Sequence, residues 1–161
     1  GAEEVHGFSL EKLYELSEGM EFLDQLQDFM KDFFDADFVI GHNVQFDIKF
    51  LKHELNSLYE VGMIDETWEP KNSFCTMTYY KNICNIPAPR GNGIKNPKLS
   101  EVIDFLNISQ DKIATKANEL FQGSGNYHDA RFDTAATYLL VIEGIKQKYI
   151  KPGFFSEQLN K

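Results

Sequence analysis

No apolar run in this chain approaches the roughly 18 residues that a membrane span requires, and no signal peptide opens it. The expectation is a protein without a membrane role. Cysteine is scarce. Cys75 and Cys84 are the only two, nine positions apart, which makes neither a disulfide framework nor a zinc knuckle. Free buried thiols in a reducing, cytoplasmic setting are the expectation. Positive charge is also short: 16 Lys and Arg against 25 Asp and Glu give a net charge of −9, which argues against broad electrostatic adhesion to DNA. It leaves room for an enzyme that grips a strand end in a metal-bearing pocket. Internal repeats and low-complexity segments are missing too, so solenoid and linker architectures drop out.

What the chain has is bulky apolar material: 14 Phe and 7 Tyr in 161 residues, enough for the core of one domain. Its opening, "GAEEVHGF", reads as cut into rather than begun. "FSLEKLYEL" reads as a short helix with Ser9 as N-cap and Leu10, Leu13 and Tyr14 on one face. Past Gly19, "MEFLDQLQDFMKDFF" repeats Phe22, Leu23, Leu26, Phe29, Met30, Phe33 and Phe34 at helical spacing. "DFVIGHN" fits a short strand covered on both faces, as in a parallel sheet. A helix then runs from Val44 to about Tyr59, and a second short strand lies around "NSFCT". Between them "GMIDETWEPKNSF" reads as a polar connection. "MTYYKNIC" and "PKLSEVIDFL" are helical, on either side of the irregular loop "NIPAPRGNGIKNPK". "ISQDKIATKANELFQGSGNY" reads as loop plus a helical turn or two. From Asp129 a long helix runs to about Tyr149 and stops at Pro152-Gly153, leaving residues 151–161 as a tail behind a domain of residues 1–150.

The chemistry gathers at two helix starts. In open α/β sheets, sites form at the carboxyl ends of strands. "VIGHNVQFD" brings Gly41, His42, Asn43 and Asp47 to such an end. Asp47 leads a helix whose other inward positions read as Phe50, Leu51, Leu55 and Leu58. A carboxylate there is either a charge that suits the helix dipole or a ligand, and Asn43 is either a cap or part of a site. "NYHDARFDTAATYLLVIEGI" repeats the design, with His128 in a loop and Asp133 heading a stripe of Ala136, Thr137, Leu140, Val141 and Gly144. Two such aspartates, one with a histidine five residues ahead, favour the ligand reading. These parts suit metal-assisted phosphodiester hydrolysis. Two hard divalent ions on carboxylate oxygens clamp the attacking and leaving oxygens, while a histidine takes the proton of the attacking water.

Together the two stretches resemble DnaQ-like 3′–5′ exonucleases, the group that includes the proofreading subunit of bacterial replicative polymerases. "IGHNVQFDIKFL" is similar to their second motif and "HDARFDTAA" to their third, H-x-A-x-x-D. "EEVHGFS" looks like the His-Gly turn before the family's first helix. "FCTMTYYKNICNIP" with "KNPKLSEVIDFLNI" resembles the segment between the second and third motifs, so the likeness covers residues 2 to about 147. It implies a ribonuclease-H-like α/β fold and release of nucleoside monophosphates from the 3′ end of single-stranded DNA or RNA. It further implies a two-metal site for Mg²⁺ or Mn²⁺ with Asp47 and Asp133 as ligands, and His128 as general base. Asn43 and Phe46 match positions lining the cleft at the 3′ end, His6 matches a contact to the terminal nucleotide, and a DNA polymerase becomes a further expected partner. A tyrosine variant of the third motif carries Tyr four residues before its Asp, where this chain has Asp129. Tyr127 is out of that register, so the resemblance is to the histidine subtype.

One departure is large. The family's first motif, D-x-E on the first strand, supplies two of its four carboxylates, and these 161 residues contain no D-x-E. Asp35-Ala36-Asp37 precedes its strand and so lies at the wrong end of it. Cys75 stands where many relatives carry an aspartate. The expectation is an exonuclease domain without its first three sheet strands, helix-rich, and completed by a segment or chain that supplies them. Alone it should bind metal weakly, lack activity and leave Phe46, Phe50 and Leu140 partly exposed. The competing reading is a non-catalytic nucleic-acid-binding module or structural subunit with an incomplete metal site. Arg90, Lys95 and Lys98 in "PAPRGNGIKNPK" read either as a solvated loop or as phosphate contacts.

Overall fold

The computed structural model describes residues 9–121 and 130–160. His6, Tyr127, His128 and Asp129 therefore lie outside the described residues. Helix α1 (Leu10–Leu16) starts where the sequence sets it, with the Ser9 hydroxyl accepting the Lys12 backbone N–H at 3.1 Å. None of its residues is buried, and Leu10 is 85% exposed. A 3-10 turn (Phe22–Gln25) leads into α2 (Leu26–Asp35).

Strand β1 (Val39–Gly41), helix α3 (Val44–Glu60) and strand β2 (Ser73–Cys75) form a crossover unit. The strands pair in parallel, Val39 opposite Ser73, Ile40 opposite Phe74 and Gly41 opposite Cys75. A parallel pair cannot be closed by a tight turn, and α3 provides the long connection it needs. Val44, Ile48 and Leu55 are the buried residues of α3, set four and seven positions apart on one helix line. Phe50, expected on that inward stripe, lies on the opposite side of the helix and is 59% exposed.

The connection after α3 is less polar in effect than in composition. Ile64 and Trp68 are buried, and the Trp68 indole N–H donates to the Phe33 carbonyl at 3.1 Å. The rings of Phe29 and Phe33 stack on each other and meet Trp68 edge-on, so this segment is pinned to α2.

Helices α4 (Thr76–Cys84), α5 (Leu99–Phe105), α6 (Gln110–Phe121) and α7 (Ala130–Lys146) build the larger core. A twelve-residue α6 replaces the loop with a turn or two expected from the sequence. It forms because Ile113 and Ala117, one turn apart, bury completely against α7, where Ala135 and Ala136 permit close approach. Leu140, expected to be partly uncovered, is fully buried in this core among α5, α6 and α7. The Tyr80 hydroxyl donates to the Leu140 carbonyl at 3.2 Å. Gly144 leaves room for that hydroxyl, since a Cβ there would run into it. Residues 151–161, expected as a tail, carry helix α8 (Phe154–Leu159). Phe154 and Phe155 pack edge-on against Phe74, which ties the end of the chain to β2.

The architecture is α/β with helix predominating and a single two-stranded parallel sheet among the described residues. None of the described helices is long and apolar enough to cross a membrane. Cys75 and Cys84 are free thiols, half-buried rather than buried.

Candidate functional site

Gly41 ends β1, and the chain turns into α3 through Asn43, which adopts a left-handed conformation (φ 73°, ψ 38°). Asparagine tolerates that region better than most residues with a Cβ. Asn43 occupies the N-cap position, yet its side chain makes no capping bond. The capping alternative for the amide fails, and the side chain stays exposed at the turn.

His42 fixes this turn, a role its sequence position did not reveal. Its Nδ1 lies 2.9 Å from the Thr76 hydroxyl and its Nε2 lies 3.0 Å from the Pro97 carbonyl. A carbonyl only accepts, so Nε2 donates. In the neutral ring Nδ1 then accepts from the Thr76 hydroxyl, whose single proton is shared with the Gly41 carbonyl 3.3 Å away. Thr76 and Pro97 are both fully buried. One imidazole thus joins the end of β1, the first residue of α4 and the loop before α5. Burial holds the His42 pKa below its ordinary value, against the Pro97 carbonyl and the negative charge of Asp133, which both pull it up.

Asp47 and Asp133 both sit in the first turn of their helices, α3 and α7. The Asp47 carboxyl titrates above its ordinary range because it is partly desolvated, with its own backbone N–H opposing the shift. Phe46, Phe50 and Leu51 surround it in an open depression of about 340 Å³. Phe46 is 68% exposed there. Asp133 is half-buried, α7 contacts β1, and the Asp133 charge acts on His42 just past that strand's carboxyl end. Two stretches far apart in sequence therefore approach one end of the sheet. His6 and His128, the remaining candidates, lie outside the described residues.

Cys75 occupies the N-cap of α4. Burial alone would push its thiol up. Hydrogen bonds from the Thr78 hydroxyl and from the backbone N–H groups of Thr78, Asn43 and Val44 outweigh this and hold it below the usual value. Among the loop cations, Lys95 is bound by Glu101, whose carboxyl is pulled down by that ammonium and by the Lys98 backbone N–H at 2.7 Å.

A hard divalent cation suits carboxylate oxygens, and Asp47 and Asp133 are of that kind. No three His, Cys, Asp or Glu side chains converge among the described residues. No family model, curated protein or solved structure matches the chain.

Proposed function

We propose that this chain bears two of the motifs of a metal-dependent 3′–5′ exonuclease of the DnaQ-like histidine subtype, within a ribonuclease-H-like fold. The observation that carries the reading is the approach of its two candidate stretches. The charge of Asp133 reaches His42, which immediately precedes the α3 turn and lies five residues ahead of Asp47. Helix-first-turn aspartates at the carboxyl end of a parallel pair are where α/β sites form.

In this reading Asp47 and Asp133 hold Mg²⁺ or Mn²⁺ together with carboxylates from outside these 161 residues. The ions supply charge stabilisation of the attacking and leaving oxygens. Asn43 and the exposed Phe46 face the 3′-terminal nucleotide of a DNA or RNA strand, and His6 contacts it. His128 takes the proton of the attacking water. His42 is a positioning residue that sets the turn carrying Asn43. A DNA polymerase is a further partner under this reading, and cytoplasmic residence goes with it.

The sheet holds only two strands of three residues among the described residues, which supports its completion by strands from elsewhere. The second reading, a nucleic-acid-binding or structural subunit without catalysis, draws support from the missing D-x-E.

The test is hydrolysis of 3′-labelled single strands with Mg²⁺ and Mn²⁺. Residues 1–161 are assayed alone and joined to the coding sequence upstream of Gly1. Activity is expected only in the longer protein, and Asp47→Asn or Asp133→Asn should each reduce it to background. Wild-type rates in either variant would overturn the assignment, and an inactive longer protein would favour the second reading.

A further inference from the structure

Helix α3 has two unlike flanks. Successive residues turn by about 100°. Val44, Ile48 and Leu55 therefore share one line, and that line is the buried one. About a quarter turn to one side of it run Gln45, Lys49, Lys52 and Asn56, with His53 beside them, along an open groove of about 390 Å³. On the other side Phe46, Asp47, Phe50 and Leu51 line the second depression. Phe46 and His53, about two turns apart, both lie along the crest between the two.

The groove is an electrostatic exception. The chain carries a net charge of −9, yet no carboxylate lines this groove. Most described lysines pair with a carboxylate, while Lys49 makes no ion pair with the described residues. Lys52 pairs with Glu69 on the facing segment, but the two side chains are 35% and 69% exposed. A pair so exposed is weakly held and readily exchanged for another anion. Gln45 donates to the Ser73 hydroxyl at 3.3 Å, which anchors the near end of the groove beside β2. Cations and amides on one flank, with exposed aromatic rings across the crest, match what a single strand requires. Its phosphates follow a positive groove while its bases stack on aromatic faces.

We propose that the outer face of α3 binds the phosphodiester backbone of a single-stranded nucleic acid, with Lys49, Lys52, Gln45 and Asn56 on phosphates and Phe46 and Phe50 on bases. The inference rests on the preceding reading for its direction, since a strand lying across this crest delivers its end to Asp47.

The experiment is fluorescence anisotropy of a labelled oligothymidylate with residues 1–161, in EDTA, over a range of salt. Wild type should bind, and more weakly as salt rises. Lys49→Glu/Lys52→Glu should weaken binding at least about tenfold and flatten the log–log salt slope by roughly 1.4, at about 0.7 per phosphate contact. Phe46→Ala/Phe50→Ala should weaken binding without changing the slope. Lys81→Glu/Lys148→Glu makes the same change in net charge away from the groove and should leave affinity unchanged. Should the charge reversal lower the melting temperature, Lys49→Gln/Lys52→Gln is expected to give the same direction of loss.

No binding by wild type, or an equal loss in the control pair, overturns the proposal. Competition by inorganic pyrophosphate as effective as that by unlabelled strand would make the groove a free-phosphate site and also overturns it. Equal competition by polyglutamate would assign it to an acidic protein. Because EDTA removes metal from the assay, the outcome is separate from that of the exonuclease reading. Hydrolysis by the longer protein without this binding overturns the groove alone, and binding without hydrolysis overturns the exonuclease reading alone.

Discussion

Between Tyr80 and Ile150 the chain closes on itself: Tyr80, Val102, Leu106, Ile113 and Leu140 are almost wholly buried, and α5, α6 and α7 cover one another. Between Leu10 and Met63 it does not. Among the described residues, twelve of the seventeen exposed large hydrophobics lie in that stretch, including Leu10, Tyr14, Phe46 and Phe50. Both regions carry large apolar side chains, yet one forms a finished core and the other leaves an open apolar surface. The difference is one of partners rather than of residue type. Helix α7 has neighbours on most of its circumference, whereas α1 buries no residue and α3 buries a single line. Contiguous apolar surface of this kind marks a place that something else covers.

The sharpest way to break the comparison is to truncate one residue in each region. Leu140→Ala should cost about 2–5 kcal/mol, the range for emptying a well-packed site. Gly144→Ala should cost about 1–3 kcal/mol by forcing the Tyr80 hydroxyl out of its bond to Leu140. Phe50→Ser should cost less than about 0.5 kcal/mol and should raise solubility. Urea melts of the three variants decide it. A Phe50→Ser cost equal to that of Leu140→Ala would mean that the open face is already part of a core.

That contrast also explains what could be read from the sequence. Both strands and the parallel pairing were legible, but the cover on both faces expected of β1 is missing at Ile40, which stays exposed. The spans of α3 and α4 were legible as well, since periodicity and a turn residue mark each end. Helix α6 was not. Its lysines, threonine and asparagine mask a narrow stripe of Ile113 and Ala117, and only the small residues of α7 make that stripe sufficient. Trp68 misled in the same way, being one ring inside a polar connection that α2 happens to receive.

At the site, the two aspartates were found as heads of helices. His42 stands with them at the strand's end, but its role is not legible in the sequence because its partners, Thr76 and Pro97, are distant along the chain. Phe50 was assigned inward because a large aromatic residue on a helix normally is. Here the inward line belongs to Val44, Ile48 and Leu55.

A smaller effect sharpens the boundary between the two regions, which His42 spans. Its pKa is depressed by burial, so the unfolded chain, titrating near about 6.5, binds the proton more readily than the native one. Stability therefore rises with pH across the window between the native value and the unfolded one, and is lost as pH falls through it. His42→Gln should flatten that dependence in thermal melts taken between mildly acidic and neutral pH. It should also lower stability at neutral pH, because it disturbs the bonds to Thr76 and Pro97. An unchanged pH profile would mean that the ring is not held neutral in the native state.

The smallest effect bears on why Asp47 is there at all. Partial desolvation raises its carboxyl above the ordinary value, despite the opposing backbone N–H at the helix start. An unfolded aspartate titrates near about 3.9, so the native state binds more proton than the unfolded state between that pH and the raised native value. Stability falls as pH rises through this window, and the deficit persists at neutral pH. Asp47→Asn keeps the shape and removes the charge, so a small rise in Tm at neutral pH is expected, vanishing in acid where both forms are uncharged. A residue that served only as a helix-end charge would behave in the opposite way, because a favourable dipole interaction would be lost. Melting curves of wild type and Asp47→Asn at neutral and acidic pH separate the two. A lower Tm for the variant at neutral pH would return Asp47 to the role of helix-end charge. A higher Tm combined with lost turnover in the longer protein would mark a carboxylate kept at a cost to stability, as functional sites commonly require.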